Sequence, residues 1–163
     1  MHQDNRLPHN NKEGAIYGAT ICFLTALMMT TFNVILHTPE VNAQTLKSIA
    51  FFFPLMFVIA MLVGPLLVGR IAEKAMHRLS PATDSGNAKI LFRMVFTVFG
   101  MSLVMTGIGN LIAFGADGWL NRMLHDWPRN FFIVLILEAL VIQPIARAVM
   151  VKLHQKTGEV KTA

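Results

Sequence analysis

Charged residues are scarce in this chain. Asp, Glu, Lys and Arg make up 14% of its 163 residues, against about 25% in an ordinary soluble domain. That shortage, with 54% hydrophobic residues and a mean hydropathy of +0.53, excludes a soluble enzyme and a disordered tail. Cysteine is scarcer still. The single thiol, Cys22, can form no intrachain disulfide, which excludes a disulfide scaffold and says nothing of redox compartment. The sequence also lacks a phosphate-binding glycine loop, a nucleophile elbow and an HExxH segment. Its six histidines, His2, His9, His37, His77, His125 and His154, include no pair at the three- or four-residue spacing by which one helix holds a metal. The expectation is a non-enzymatic protein with no catalytic residue, no metal site and no cofactor. A net charge of +5 would suit a nucleic-acid partner in a soluble protein, but the 14 Lys and Arg are spread along the chain rather than clustered. No nucleic acid is expected, and the bilayer is the expected partner.

What the chain has is four long apolar runs, Ala15 to Leu36, Ser48 to Val68, Ile90 to Phe114 and Phe131 to Val151. Each holds about 21 to 25 residues, enough at about 1.5 Å per residue to cross a hydrocarbon core about 30 Å thick. None shows the alternation over about 10 residues that a membrane β-barrel strand needs. The fold class predicted is all-α integral membrane, with four transmembrane helices. The segment Val41-Asn42-Ala43 resembles a signal-peptide cleavage site, but the apolar run before it exceeds the roughly 7 to 15 residues of a signal-peptide core, so the first span is expected to be retained.

Basic residues set the orientation, because short Lys- and Arg-rich segments stay in the cytoplasm. Arg6 and Lys12, then Arg70, Lys74, Arg78, Lys89 and Arg93, then Arg147, Lys152, Lys156 and Lys161 put 11 on one side; Lys47, Arg122 and Arg129 put 3 on the other. Both termini are expected in the cytoplasm.

The two halves resemble each other. An offset of 76 lays Leu27, Met29 and Thr30 on Leu103, Met105 and Thr106; an offset of 79 lays Phe52, Phe53, Ala60 and Pro65 on Phe131, Phe132, Ala139 and Pro144. Each half is thus a two-helix hairpin, and since a hairpin returns to its starting side, the copies are parallel repeats. The organisation expected is a cytoplasmic tail over 1–14, a first repeat over 15–79, a cytoplasmic linker over 80–89, a second repeat over 90–156 and a tail over 157–163. The second half carries Met101-Ser102-Leu103-Val104-Met105-Thr106, Asn110, Trp119, Trp127 and Pro144-Ile145-Ala146-Arg147. In these it resembles the short bacterial membrane proteins of domain of unknown function 2798, which occur as one hairpin or two in tandem. The first half keeps Met29-Thr30, Asn33 and Pro65, lacks the tryptophans, and places Arg70 five residues after its proline rather than three. The resemblance implies a multi-pass protein of the bacterial inner membrane and implies no activity.

Glu138 is the one carboxylate well inside a predicted span. Near a helix centre an acid costs about 2.5 to 3.5 kcal/mol to insert, so it is expected to face the bundle interior. It is read either as a proton or cation site or as a neutral carboxyl bonded to a neighbour. Its aligned position in the first half is Ile59, so the hairpin itself does not require it. The expected polar partners are Thr30 and Asn33 on the first span, and Thr106 and Asn110, with Ser102, on the third; spacings of three and four put each set on one face. Gln143, five residues on, falls about 140° round an α-helix and is not expected to pair with Glu138. Gly14, Gly18, Cys22, Ala26 and Thr30 form a small-residue stripe, and Ala60 and Gly64 repeat the pattern on the second span. Such faces pack helices within a chain or between two, and the small size allows a homodimer. Pro65 and Pro144 are expected to kink or end their helices. Asp117 is expected to cap a short interfacial helix carrying Trp119 and Trp127 as membrane anchors, and Thr38-Pro39-Glu40 to open another.

Two functions follow as expectations: a four-helix inner-membrane protein of unknown, non-enzymatic activity, or a small proton- or cation-coupled exporter using Glu138. The topology is checked by reporter fusions. Fusions near Ser80 and at Ala163 should report cytoplasm, and one near Asp117 the outside; an outward C terminus would overturn the orientation.

Overall fold

The structure is a computed structural model, which describes residues 7–79 and 86–161. Residues 80–85 of the expected linker, 1–6 of the first tail and 162–163 of the last lie outside the described residues.

Helix α1 (Asn11–Leu36) starts four residues before the first apolar run, because Asn10 caps it. The Asn10 Oδ1 accepts the Glu13 N–H at 2.9 Å, and Glu13 Oε1 accepts the Asn10 amide at 2.7 Å. Helix α2 (Ala43–Val63) begins later than Thr38-Pro39-Glu40 suggests. The Thr38 hydroxyl turns back to the Val34 carbonyl at 2.6 Å and so finishes α1, while Asn42 and Thr45 form a reciprocal capping box that opens α2. Past Val63 the chain passes through a π-helical turn, Gly64–Val68, into α3 (Gly69–Leu79). In the second half, α4 (Gly86–Phe114) is followed by α5 (Trp119–Leu137), a second π turn at Glu138–Ile142, and α6 (Gln143–Lys161).

Of the two outcomes expected of Pro65 and Pro144, a kink or a helix end, the end does not occur. Each sits in or beside a π turn, where the N–H of Gly69 reaches the Gly64 carbonyl and that of Gln143 the Glu138 carbonyl. The widened turn before Pro144 makes room for a ring that would otherwise press on the carbonyl four residues back. The helix therefore continues. Four helices are long and apolar enough to cross a membrane, Asn11–Leu36, Ala43–Ile71, Met94–Phe114 and Trp119–Gln155, and the described residues contain no strand.

The bundle closes as a ring. Helix α1 pairs with α2 and α4 with α5, which makes the two hairpins; α1 then lies against α5 and α6, and α2 and α3 lie against α4. The diagonal pairs make no close backbone approach. Small and branched side chains fill the centre, among them Ala26, Ala60, Val68, Val98, Val134, Ile142 and Ala146. Large apolar side chains such as Phe51 and Leu140 stay about 70% exposed on the outside, an arrangement that costs nothing when the surrounding solvent is itself hydrocarbon. The first hairpin is held by aromatic packing, with Phe23 edge-on to Phe53 at 5.1 Å and to Phe57 at 5.8 Å.

Close backbone approach occurs elsewhere than on the expected stripe. A Cβ on Gly100 would stand 2.9 Å from Val68 Cγ1, and one on Gly107 would stand 3.2 Å from Met123 Sδ and 3.3 Å from the Trp119 ring. Ala26 and Ala60 are buried and Gly64 faces Met101, but a Cβ on Gly14 or Gly18 would meet nothing within 4 Å. The packing expected of Gly14 and Gly18 is thus not made among the described residues. Gly107→Val should therefore lower stability by about 1–3 kcal/mol through overpacking against Trp119. Gly18→Leu should stay within about 0.5 kcal/mol, as read by thermal unfolding of the monomer in detergent; equal losses would show that Gly18 packs within the chain.

Candidate functional site

Two polar clusters lie inside the bundle. The first centres on Glu138, the opening residue of the second π turn, which is 5% exposed. Its Oε1 accepts the Gln143 side-chain amide at 3.1 Å, and its Oε2 faces the Thr25 hydroxyl of α1 at 3.5 Å, the outer limit of hydrogen bonding. The Gln143 carbonyl oxygen in turn accepts the Tyr17 hydroxyl, also on α1, at 2.6 Å. Arg147 interacts with that same hydroxyl.

The Glu138–Gln143 pair corrects the sequence reading. Five residues turn an α-helix through about 500° and leave the two side chains about 140° apart. In the π turn the hydrogen bond runs from residue 143 to residue 138, so five residues make little more than one turn and the two side chains meet.

The second cluster laces α4 to α5. The Asn110 amide donates to Asp126 Oδ2 at 3.3 Å, and Arg129 Nη2 donates to Asp126 Oδ1 at 3.2 Å, with His125 Nδ1 3.3 Å from the same oxygen. One turn further along, the Asn130 amide donates to the Thr106 hydroxyl at 3.1 Å. The Trp127 indole donates to Ser102 Oγ at 3.1 Å and the Trp119 indole to the Gly107 carbonyl at 2.6 Å. Ser102, Thr106 and Asn110, at intervals of four, thus meet one facing stripe on α5. Asp126 is only 7% exposed.

These contacts divide the residues that the spacing had grouped. Thr106 and Asn110 serve Asp126 and Asn130, not Glu138, which lies eight residues or about 12 Å further along from Asn130. Thr30 is buried but makes no hydrogen bond with Glu138, and the Asn33 amide returns to the Met29 carbonyl of its own helix. The partner of Glu138 on α1 is Thr25, because the α1 face toward α6 carries Tyr17 and Thr25 rather than Thr30 and Asn33.

The tryptophans are also placed differently. No separate interfacial helix forms: Trp119 through Leu137 is one helix with Pro128 inside it, started by Gly118 in the left-handed region at φ +61°. Asp117 does not cap it with its side chain; its carbonyl accepts from Arg122 instead. Both indoles point into the α4–α5 seam. Sequence reasoning missed Asp126 by placing it on a short interfacial helix, away from the face that carries the tryptophans. The signal was present in Trp119, Met123, Asp126, Asn130, Val134 and Glu138, which recur at three and four residues and so form one face.

Neither cluster brings together three His, Cys, Asp or Glu side chains that could hold a metal. Two open depressions lie at the bundle ends, one lined by Thr38, Glu40, Asn42 and Ser48 and the other by Pro8, His9, Asn10 and Pro65; neither reaches Glu138 or Asp126.

Comparison with known proteins places these features in a family context. The family described as Domain of unknown function (DUF2798) matches the chain twice, over residues 10–76 and 86–154. The chain is 29% identical over 151 residues to the "Uncharacterized protein YybC" of Bacillus subtilis (strain 168), covering 90% of this chain and 94% of that one. No solved structure matches it significantly.

The seam makes a ranked prediction. Asp126→Ala strips Asn110 and Arg129 of a buried acceptor and should cost about 1–3 kcal/mol. Trp127→Phe removes one interhelical hydrogen bond and should cost about 0.6 kcal/mol. Thermal unfolding in detergent measures both, and the reverse order would mean that the Trp127 ring, which packs edge-on to Phe99 at 5.1 Å, organises the seam rather than the carboxylate.

Proposed function

Because the chain belongs to the DUF2798 family, as two tandem copies of its unit, we propose that it is a non-enzymatic, multi-pass protein of the bacterial inner membrane, with both termini in the cytoplasm. It works by association within the bilayer, and Glu138 joins its two hairpins. The observation that carries this reading is the enclosure of Glu138: 5% exposed, it faces Thr25 of the first hairpin through one oxygen and Gln143 of its own helix through the other. A carboxyl engaged in this way acts as a tie between helices. The division of basic residues, 11 against 3, supports the orientation. The small-residue face at Gly14 and Gly18, where an added Cβ would meet nothing within 4 Å, supports a second copy of the chain as one associate.

One observation favours a second reading, a proton- or cation-coupled exporter. Thr25, Glu138, Gln143 and Tyr17 contact one another in series along the line between α1 and the α5–α6 helix, and a bonded series of this kind is a route for protons.

Reconstituted vesicles under a pH gradient separate the two. Under the first reading the wild type shows no proton-driven flux of cationic dyes, Glu138→Gln unfolds within about 1 kcal/mol of wild type, and Glu138→Leu is at most mildly harmful, since a well-packed apolar group replaces a buried polar one without loss. Under the second, wild-type vesicles carry a flux that Glu138→Gln abolishes while the protein stays folded. A flux that survives Glu138→Gln would remove Glu138 as the coupling group.

A further inference from the structure

We propose that the end of the bundle where both α1 begins and α6 runs out is a binding site for a divalent transition-metal ion, with zinc the best match, formed by His9, Glu13 and His154. These residues come from three places: the segment before α1, the first turn of α1, and the outer part of α6, 141 residues beyond Glu13. Their ligand atoms nevertheless lie within 4.8 Å of one another. The His154 Nε2 stands 3.1 Å from Glu13 Oε2, and the two imidazoles rest stacked with centroids 4.4 Å apart and planes 10° from parallel, an arrangement that the exposed His9 ring leaves so that both rings point at one ion.

The geometry suits coordination. Zinc bonds of about 2.0 to 2.2 Å in a tetrahedron put ligand atoms roughly 3.3 to 3.6 Å apart. The His154 and Glu13 pair, at 3.1 Å, stands slightly inside that separation, and the remaining atoms, all within 4.8 Å, need a shift of about 1 Å together with a turn of the exposed His9 ring.

The carboxylate is pre-oriented. Glu13 Oε1 accepts the Asn10 amide at 2.7 Å and Oε2 accepts the His9 backbone N–H at 2.6 Å, the kind of outer support that fixes a metal ligand. Two imidazole nitrogens and one carboxylate oxygen suit zinc among the common divalent ions, whereas magnesium and calcium prefer all-oxygen sets. Three protein ligands leave one position open, and the groove lined by Pro8, Asn10, Gly14 and Pro65 borders it. The consequence is mechanical: a bound ion clasps the first repeat to the last helix of the second. The site is independent of Glu138, since His154 lies 11 residues, or about 16 Å, beyond Gln143.

The test uses the full chain, purified in detergent with an affinity tag free of histidine and stripped by chelator. Zinc is titrated against a chromophoric chelator, and the cobalt ion is used as an absorbing substitute. The expected result is one saturable zinc site per chain, a rise in unfolding temperature on zinc addition, and cobalt absorption bands that zinc displaces. His9→Gln and His154→Gln should each weaken zinc binding by about tenfold or more, as should Glu13→Gln, while His37→Gln at the opposite end leaves it unchanged. Zinc binding that is unsaturable, or that is equal in the wild type and in the double variant of His9 and His154, overturns the proposal. Should a variant fail to fold, the wild-type cobalt spectrum still decides: bands unchanged by zinc, or no bands at all, overturn it.

Discussion

In a hydrocarbon solvent a polar side chain has no water to turn to, so each one must either find a partner inside the bundle or be carried at a cost of several kcal/mol. The α4–α5 seam answers most of that constraint, although Asn110 Oδ1 and Asn130 Oδ1 are buried in it without a partner. Asn110, Asp126, Asn130, Thr106, Ser102 and two indoles bond across it over about three turns of α5, with Arg129 supporting Asp126 from the same helix. Once α4 and α5 are registered by these bonds, the rotation of α5 is set, and with it the direction of Glu138 two turns on. The contact between α5–α6 and α1, which closes the ring, depends on that rotation.

The two repeats solve the same packing problem with different chemistry. Thr30 and Thr106, which align, are both buried, as are Ala26 and Ser102. Beyond that core the copies part: Phe51 occupies the position that Asn130 holds in the second repeat, and it is 69% exposed while Asn130 is 4% exposed. Both hairpins pack edge-on rings, Phe23 on Phe53 and Phe57 in the first and the aligned Phe99 on Trp127 and Phe131 in the second, but the second adds hydrogen bonds across its seam. Aromatic contacts are less directional than hydrogen bonds, so the second repeat is the more firmly registered half and carries both buried carboxylates.

The π turns have a structural consequence beyond relieving the prolines. An extra residue in one turn rotates everything after it relative to everything before. In the second repeat that rotation brings Gln143 onto the same side as Glu138. In the first repeat the turn comes five residues later relative to the aligned proline, at Gly64–Val68, and the inward positions differ accordingly. The two copies already present different faces before these turns, as Phe51 and Asn130 show, and the second places Glu138 inside where the aligned residue of the first is Ile59.

Span number, fold class and repeat organisation were legible in the sequence, because hydrophobic length and residue order are properties of the chain taken one segment at a time. The burial of Glu138 was legible for the same reason: a lone carboxylate in a long apolar run has only the interior to face. Its partners were not legible. Thr25 rather than Thr30, Asp126 as a buried group, and both tryptophans in the seam depend on which helix face meets which neighbour, and that is settled only when four helices close on one another. The pairing of Glu138 with Gln143 was hidden for a second reason, since it needs a change of helical pitch that a fixed 100° per residue cannot express. The meeting of His9, Glu13 and His154 is the extreme case: 141 residues separate the Glu13 and His154 side chains that stand 3.1 Å apart, and only the closing of the ring brings the start of α1 to the end of α6.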